Sequence, residues 1–173
     1  MKTGIVVHGC HLGAVGWENL VWGIAPHQMG RLPKAIQILA QLGASVVYFG
    51  TGASEKDGKL EGQYAFDTLF ARKSELAHFE ALQHVMHLGI DIHLTPDGPV
   101  IYTGTQAKVV IDTYTQNTVE ELIGAAEAFI ANDVGQIVLI SSATHMPRCL
   151  KDAQRVYNDP KYENRYKRFA QNL

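Results

Sequence analysis

Short runs of β-branched and aliphatic residues recur along this chain, and each stops abruptly at a small or polar loop. They read TGIVVHG (Thr3–Gly9), ASVVYFG (Ala44–Gly50), KVVIDTYT (Lys108–Thr115) and QIVLIS (Gln136–Ser141). Their apolar cores are continuous rather than alternating with polar residues, so neither face of such a strand is meant for water. Strands covered on both faces belong to a mainly parallel sheet held between layers of helices. Helical spacings fall between the runs. Leu32, Ala35, Ile36, Leu39 and Leu42 share one face ahead of Gly43, a residue suited to ending a helix. Val119, Leu122, Ile123, Ala126 and Ile130 share another. Glu61–His87 reads as broadly helical, and a last helix starts at about Met146. A short strand is expected at Ile90–Leu94 and a small extra one at Pro99–Gly104, with a turn at Thr95–Gly98 between them. The expected fold is α/β, a three-layer sandwich with a mainly parallel sheet flanked by helices, Rossmann-like in plan. Residues 1–157 form its single domain, and residues 158–173 form a basic tail packed on it or trailing from it.

At 173 residues the chain suffices for one well-filled core. Its formal net charge of −2 gives no general pull toward nucleic acid or an anionic membrane, so neither is expected as a partner. No window approaches the roughly 20 apolar residues of a membrane span, and the first apolar run is too short for a signal peptide. Two cysteines, Cys10 and Cys149, make no disulfide framework, which points to a reducing, cytoplasmic setting. No pattern fixes the oligomeric state.

In open sheets of this class, ligands bind beyond the carboxyl ends of the strands. The loops after the strands are therefore the places to look. After the first come Gly9, Cys10, His11 and Gly13, with Arg31 opening the next helix. After the second come Gly50, Thr51, Gly52 and Ser54, with Glu61 opening its helix. The third loop holds Thr115, Asn117, Thr118 and Glu120, and the last holds Ser141, Ser142, His145 and Arg148.

Each set also has a plainly structural reading. Thr118 with Glu121 fits a T-x-x-E capping box, and Asn117 can serve as the cap instead. Gly50 and Gly52 can simply permit a turn. The last loop says more. Ser142 lies where unpaired helix amides begin, Pro147 suits a first helical turn, and His145 and Arg148 are three apart on nearby faces. Helix amides with a guanidinium make a site for phosphate or carboxylate, and a histidine in that field is suited to acid or base work.

Familiar fingerprints are missing. GCHLGAVG is not G-x-G-x-x-G, and neither a phosphate-binding G-x-x-x-x-G-K-[ST] nor G-x-S-x-G occurs. His8 and His11, or His84 and His87, are candidate metal ligands without the remaining ligands at a recognisable spacing, so no metal residues are assigned.

The blocks IVVHG, GRLPKAIQIL, VVYFGTG, LEGQYA, TYTQNTVEE and VLISSATHMPR, taken in order, resemble the signature of the YdcF/SanA/ElyC-like family, a domain of unknown function. The resemblance runs over roughly Gly4 to Tyr157, and its most specific block is SSATHMPRC. It implies site roles for Gly9, Arg31, Gly52, Glu61, Thr115, Asn117, Thr118, Glu120, Ser142, His145 and Arg148. Thr115 replaces a usual serine, and Glu121 stands where asparagine is usual. The loop from Gly13 to Gly30, with Trp17, Trp22 and His27, is individual to this chain, as is the Pro96–Gln106 insertion. The resemblance also brings a nucleotide-binding-like fold and, for at least one member, S-adenosylmethionine binding. It brings no agreed reaction.

The function expected first is an enzyme that hydrolyses or transfers a group on a small phosphorylated or nucleotide-like metabolite. In it His145, Glu61 and Glu120 are catalytic, while Arg31, Arg148 and Ser142 hold the anion. Gly9, Gly52, Thr115, Asn117 and Thr118 complete the ligand-binding set. A non-catalytic module binding S-adenosylmethionine or a nucleotide is the alternative, and a protein-interaction domain the third. No cofactor is required, and S-adenosylmethionine and Mg²⁺ stay open.

Overall fold

The computed structural model describes residues 1–162 and 164–171. Glu163, Asn172 and Leu173 of the expected tail lie outside the described residues. Six strands build the main sheet: β1 (Lys2–Val7), β2 (Val46–Phe49), β3 (Ile90–Thr95), β4 (Gly98–Thr103), β5 (Gln106–Ile111) and β6 (Val134–Ile140). Their order across the sheet is β6-β1-β2-β5-β4-β3. The first four are parallel, and β5-β4-β3 continue as an antiparallel meander. The Pro96–Gln106 stretch is thus part of the sheet, with the small extra strand expected there. It supplies β4, whose extended residues answer those of β3 and β5.

Four longer helices flank the sheet: α1 (Arg31–Leu42), α2 (Glu61–Arg72), α3 (Thr118–Ala131) and α4 (Met146–Asn158). The central strands are apolar throughout because both faces are covered. Ile5 and Val7 of β1 pack with Leu32, Ile36, Leu39, Phe66 and Leu69 of α1 and α2. Val6 between them packs on the other face with Leu122, Phe129, Ala153 and Tyr157 of α3 and α4. In β2, Val47 and Phe49 take the first face while Val46 and Tyr48 take the second.

Some boundaries differ from the sequence reading. Glu61–His87 breaks after Arg72 into two 3₁₀ turns and the short helix Gln83–Met86. Leu42 is exposed because Gly43, in the left-handed region at φ 57°, already turns the chain away from the core. In the tail, Tyr166 and Phe169 are buried against Tyr157 and Phe129, so aromatic packing outweighs the segment's basic character. Among the described residues, no helix is long and apolar enough to cross a membrane.

Adjacent parallel strands whose following helices lie on opposite faces leave a crevice at their carboxyl ends. That happens twice here. Chain β1 leads to α1 while its neighbour β6 leads to α4, and β2 leads to α2 while its neighbour β5 leads to α3.

Candidate functional site

At the end of β1 the chain turns at Gly9, and the groups around it are charged and buried. His8 Nδ1 lies 2.6 Å from Glu121 Oε2, and the Gly9 amide donates to Glu121 Oε1 at 2.9 Å. On the other side of Gly9 stands Glu61, which accepts from Thr51 Oγ1 at 2.8 Å and Ser54 Oγ at 2.6 Å. A Cβ on Gly9 would come within 2.5 Å of Glu61 Oε2, and one on Gly50 within 2.4 Å of Glu121 Oε1. Glycine is needed at both positions because backbone and carboxylates approach so closely.

Arg31 closes the arrangement. Its Nη1 donates to the His8 carbonyl at 2.7 Å and to the Gly9 carbonyl, and its Nη2 donates to Ser142 Oγ at 3.0 Å. The guanidinium therefore ties the end of β1 to the end of β6, where loop Ser141–Thr144 leads into α4. Two buried cations, His8 and Arg31, thus stand among two buried carboxylates, Glu61 and Glu121. His8 pairs with Glu121, while carbonyl and hydroxyl hydrogen bonds hold Arg31 and Glu61, and such partners are what permit charge in an interior.

Histidines of opposite character meet at this crevice, their ring centroids 6.2 Å apart. Burial alone disfavours the charged form of His8, but the Glu121 carboxylate and the Cys149 sulfur outweigh it and push its pKa up to about 9. His8 is therefore an imidazolium at neutral pH, and its Nε2 has no hydrogen-bond partner among the described residues. His145 goes the other way. Burial, then the positive charges of Arg31 and His8, hold its pKa below the ordinary value of 6.5. Its Nδ1 lies 3.1 Å from Ser141 Oγ and 3.6 Å from Cys149 Sγ. An orientated, neutral imidazole is the form needed to take a proton.

A cavity of about 320 Å³ opens beside these groups, lined by Arg31, Lys34, Gln28, Ser141, Ser142 and Thr144 among others. Lys34 Nζ, on an exposed side chain, donates to Gln37 Oε1 at 2.7 Å. Cationic and hydroxyl groups converge on this space from α1 and the β6–α4 loop. That is a lining suited to an anion.

Gly9, Arg31, Ser142 and His145 are thus brought together, with Glu61 across Gly9. The remaining candidates fall elsewhere. Arg148 is exposed on the first turn of α4 and pairs with Asp152 at 3.5 Å. Gly52, Thr115, Asn117 and Thr118 belong to the β2/β5 crevice, where the chain closes tightly on itself at Gly52, while Thr115 and Glu120 line a separate cavity of about 300 Å³. There the Gly52 amide donates to the Thr115 carbonyl at 2.7 Å, and a Cβ on Gly52 would meet the Thr113 carbonyl oxygen at 2.0 Å. Thr118 is buried in the first turn of α3.

Glu120 is exposed and works as part of the helix cap. Asn117 Oδ1 accepts from the Glu120 amide at 3.0 Å, while Glu120 Oε2 accepts from the Gln116 amide at 2.8 Å. The capping box is Asn117–Glu120, not Thr118–Glu121, because the helix begins at Thr118, one residue earlier than that reading needs. Glu121 is thereby freed to turn inward to His8. Neither Glu61 nor Glu120 contacts the His145 ring, whose partners are Ser141 and Cys149. Among the described residues, no group of three or more His, Cys, Asp and Glu is placed to hold a metal ion, so the His8/His11 and His84/His87 pairs gain no further ligands.

Sequence reasoning missed Lys34 and Cys149 as site residues, placed Ser141 in the last loop without giving it a role, read His8 only as a candidate metal ligand, and treated Glu121 only as a departure or a cap. A signal for Glu121 existed. Leu122, Ala125, Ala126 and Phe129 are the buried face of α3, and Glu121 lies on it, one turn before Ala125.

No protein-family model, no curated protein and no solved structure matches this chain.

Proposed function

We propose that the chain is an enzyme that hydrolyses or transfers a group on a small phosphorylated metabolite bound in the β1/β6 crevice. One observation carries the reading: Arg31, Lys34, Ser141 and Ser142 line a single open cavity from two different elements, and His145 Nδ1 lies 3.1 Å from the Ser141 hydroxyl on its wall. Lys34 and the Ser142 hydroxyl hold the anion, while Arg31 fixes the shape of the crevice and adds its field. His145, kept neutral, takes the proton of an attacking water or hydroxyl and returns it to the leaving group. The positive field from Arg31 and His8 favours negative charge as it develops on the transferred group. The assignment to the YdcF/SanA/ElyC-like family belongs to the same proposal. The sequence blocks that carry it include Gly9, Arg31, Ser142 and His145.

The test is a thermal-shift panel of sugar phosphates, nucleotides, diphosphates and inorganic phosphate, with and without Mg²⁺, followed by turnover assays on whatever binds. A ligand at 100 times its Kd stabilises the fold by about 2.7 kcal/mol, a shift of several degrees for a domain of this size. Lys34→Ala should abolish that shift. His145→Ala should keep the shift and lose turnover. Phosphorylated ligands that stabilise wild type and Lys34→Ala alike would place binding elsewhere and end the proposal.

A further inference from the structure

A cavity of about 580 Å³ opens between the β1–α1 loop, the hairpin formed by Glu55–Lys56 and Lys59–Leu60, and α2. That volume lies within the range of small-molecule sites, on the order of 300–1,000 Å³. Nothing in the mechanism above uses it, and one of its walls is the loop that sequence marks as individual to this chain.

The two tryptophans of that loop have separate fates. Trp22 is buried, packed edge-on to Phe79 with the Arg72 guanidinium 4.4 Å over its ring. It is core. Trp17 is only half-buried and lines the cavity. Its indole is nevertheless fixed: Nε1 donates to the Cys10 carbonyl at 3.0 Å, and the Tyr64 ring meets it edge-on at 5.2 Å. A large aromatic surface held rigid beside open space is what stacking requires, since little freedom remains to be lost when a flat ring arrives.

The rest of the lining is polar. Lys56 Nζ lies 5.6 Å from the Tyr64 ring centroid and has no acidic partner among the described residues. The Tyr64 hydroxyl makes no hydrogen bond among them, and Asp67 offers a carboxylate on the same wall, shared with Gln63 and Lys59. A hydrocarbon ring would strip water from these groups and return nothing. A ring with donors and acceptors on its edge would satisfy them.

Position links this space to the crevice. Trp17 also lines the narrow gap at Gly9, Cys10, Arg31 and Glu61, and Arg31 in turn lines the cavity at Ser142. All lie at the carboxyl end of the sheet.

We propose that the cavity beside Trp17 receives a planar heteroaromatic ring, a nucleobase, stacked on the indole and read at its edge by Tyr64, Lys56 and Asp67. The proposal rests on the reading above for the phosphate end of the same ligand, which makes the substrate a nucleotide. For the ring it rests on the cavity alone.

The two ends can be tested apart. Adenosine and uridine, which lack phosphate, and ribose 5-phosphate, which lacks a base, are titrated separately into the full chain by calorimetry and ligand-observed NMR. The variants are Trp17→Leu and Ala71→Trp. Ala71 is an exposed residue of α2 on the cavity wall, so a tryptophan there fills the space without entering the core. Should Trp17→Leu fail to fold, Ala71→Trp carries the test. The expected result is nucleoside binding to wild type that weakens at least tenfold in either variant, with ribose 5-phosphate unaffected by both. Nucleosides that bind nowhere, or equally well to Ala71→Trp, overturn the inference, as does ribose 5-phosphate being the ligand that Ala71→Trp displaces. Ribose 5-phosphate binding without nucleosides sinks the inference and spares the phosphate reading. Nucleosides alone do the reverse.

Discussion

His8 at the end of β1 and Glu121 in the first turn of α3 form a fully buried pair, Nδ1 to Oε2 2.6 Å, across 113 residues of sequence. Through it the end of the central strand is held to the helix that follows β5. The pair also keeps His8 cationic at neutral pH beside His145, so one contact serves both the fold and the electrostatics of the crevice.

Stability should therefore fall as pH rises past neutrality. The pKa of His8 is raised in the folded state, so its contribution is full below the unfolded value of 6.5 and is lost as pH climbs through about 9. The gap corresponds to a loss on the order of 3 kcal/mol. In Glu121→Gln the loss should vanish, because nothing then holds the proton. Urea unfolding at intervals between pH 6 and 9.5 checks this, and an equally steep decline in the variant would contradict it.

His145 has the opposite sign. Its folded pKa is depressed, so its neutral form contributes nothing extra above 6.5 and costs stability as pH falls below it. His145→Gln should make the acid side of the same profile shallower. A profile unchanged between pH 4.5 and 6.5 would mean that the ring is not shielded as described.

Arg31→Met should be severely destabilising. Two or more charge-assisted hydrogen bonds at roughly 1.5 kcal/mol or more each are lost, which sums to about 3 kcal/mol. Lysine cannot substitute, since a single ammonium does not span carbonyls on β1 and a hydroxyl on the β6–α4 loop. Thermal midpoints of Arg31→Met and Arg31→Lys within a degree or two of wild type would refute the bracing role.

Asn117→Ala should cost about 1 kcal/mol, the usual value of a lost helix cap, and Asn117→Asp should recover most of it. Chemical unfolding of the pair measures both. No recovery in the aspartate variant would show that the side chain does something other than cap.

Much of this architecture was legible in residue patterns, and the failures have physical causes. Continuous runs such as VVYF announced strands covered on both faces, and Gly43 announced the end of α1. Gly9, Arg31, Ser142 and His145 lie together because parallel α/β topology brings the ends of β1 and β6 side by side, however distant in sequence. The reading went astray where one residue decides. Both Asn117 and Thr118 stood open as caps, and Glu120 and Glu121 are neighbours about 100° apart on a helix, so the cap at Asn117 sends one to water and the other to His8. Arg148 shows the same limit, since three-residue spacing put it near the face of His145 but tertiary packing left it exposed beside Asp152. Lys34 lay within the GRLPKAIQIL block but was given no role there, and only its position on α1 beside the β6–α4 loop shows it.

The most direct test of the central claim is an NMR titration of the His145 ring with and without inorganic phosphate, read against Lys34→Ala. The account predicts that His145 titrates below 6.5 in the free protein and that saturating phosphate raises its pKa, since an anion in the crevice stabilises the imidazolium. Lys34→Ala should remove the phosphate effect while leaving the free value near that of wild type. A His145 resonance indifferent to phosphate at saturating concentration would mean that the crevice is not an anion site, and the proposed chemistry would fall with it.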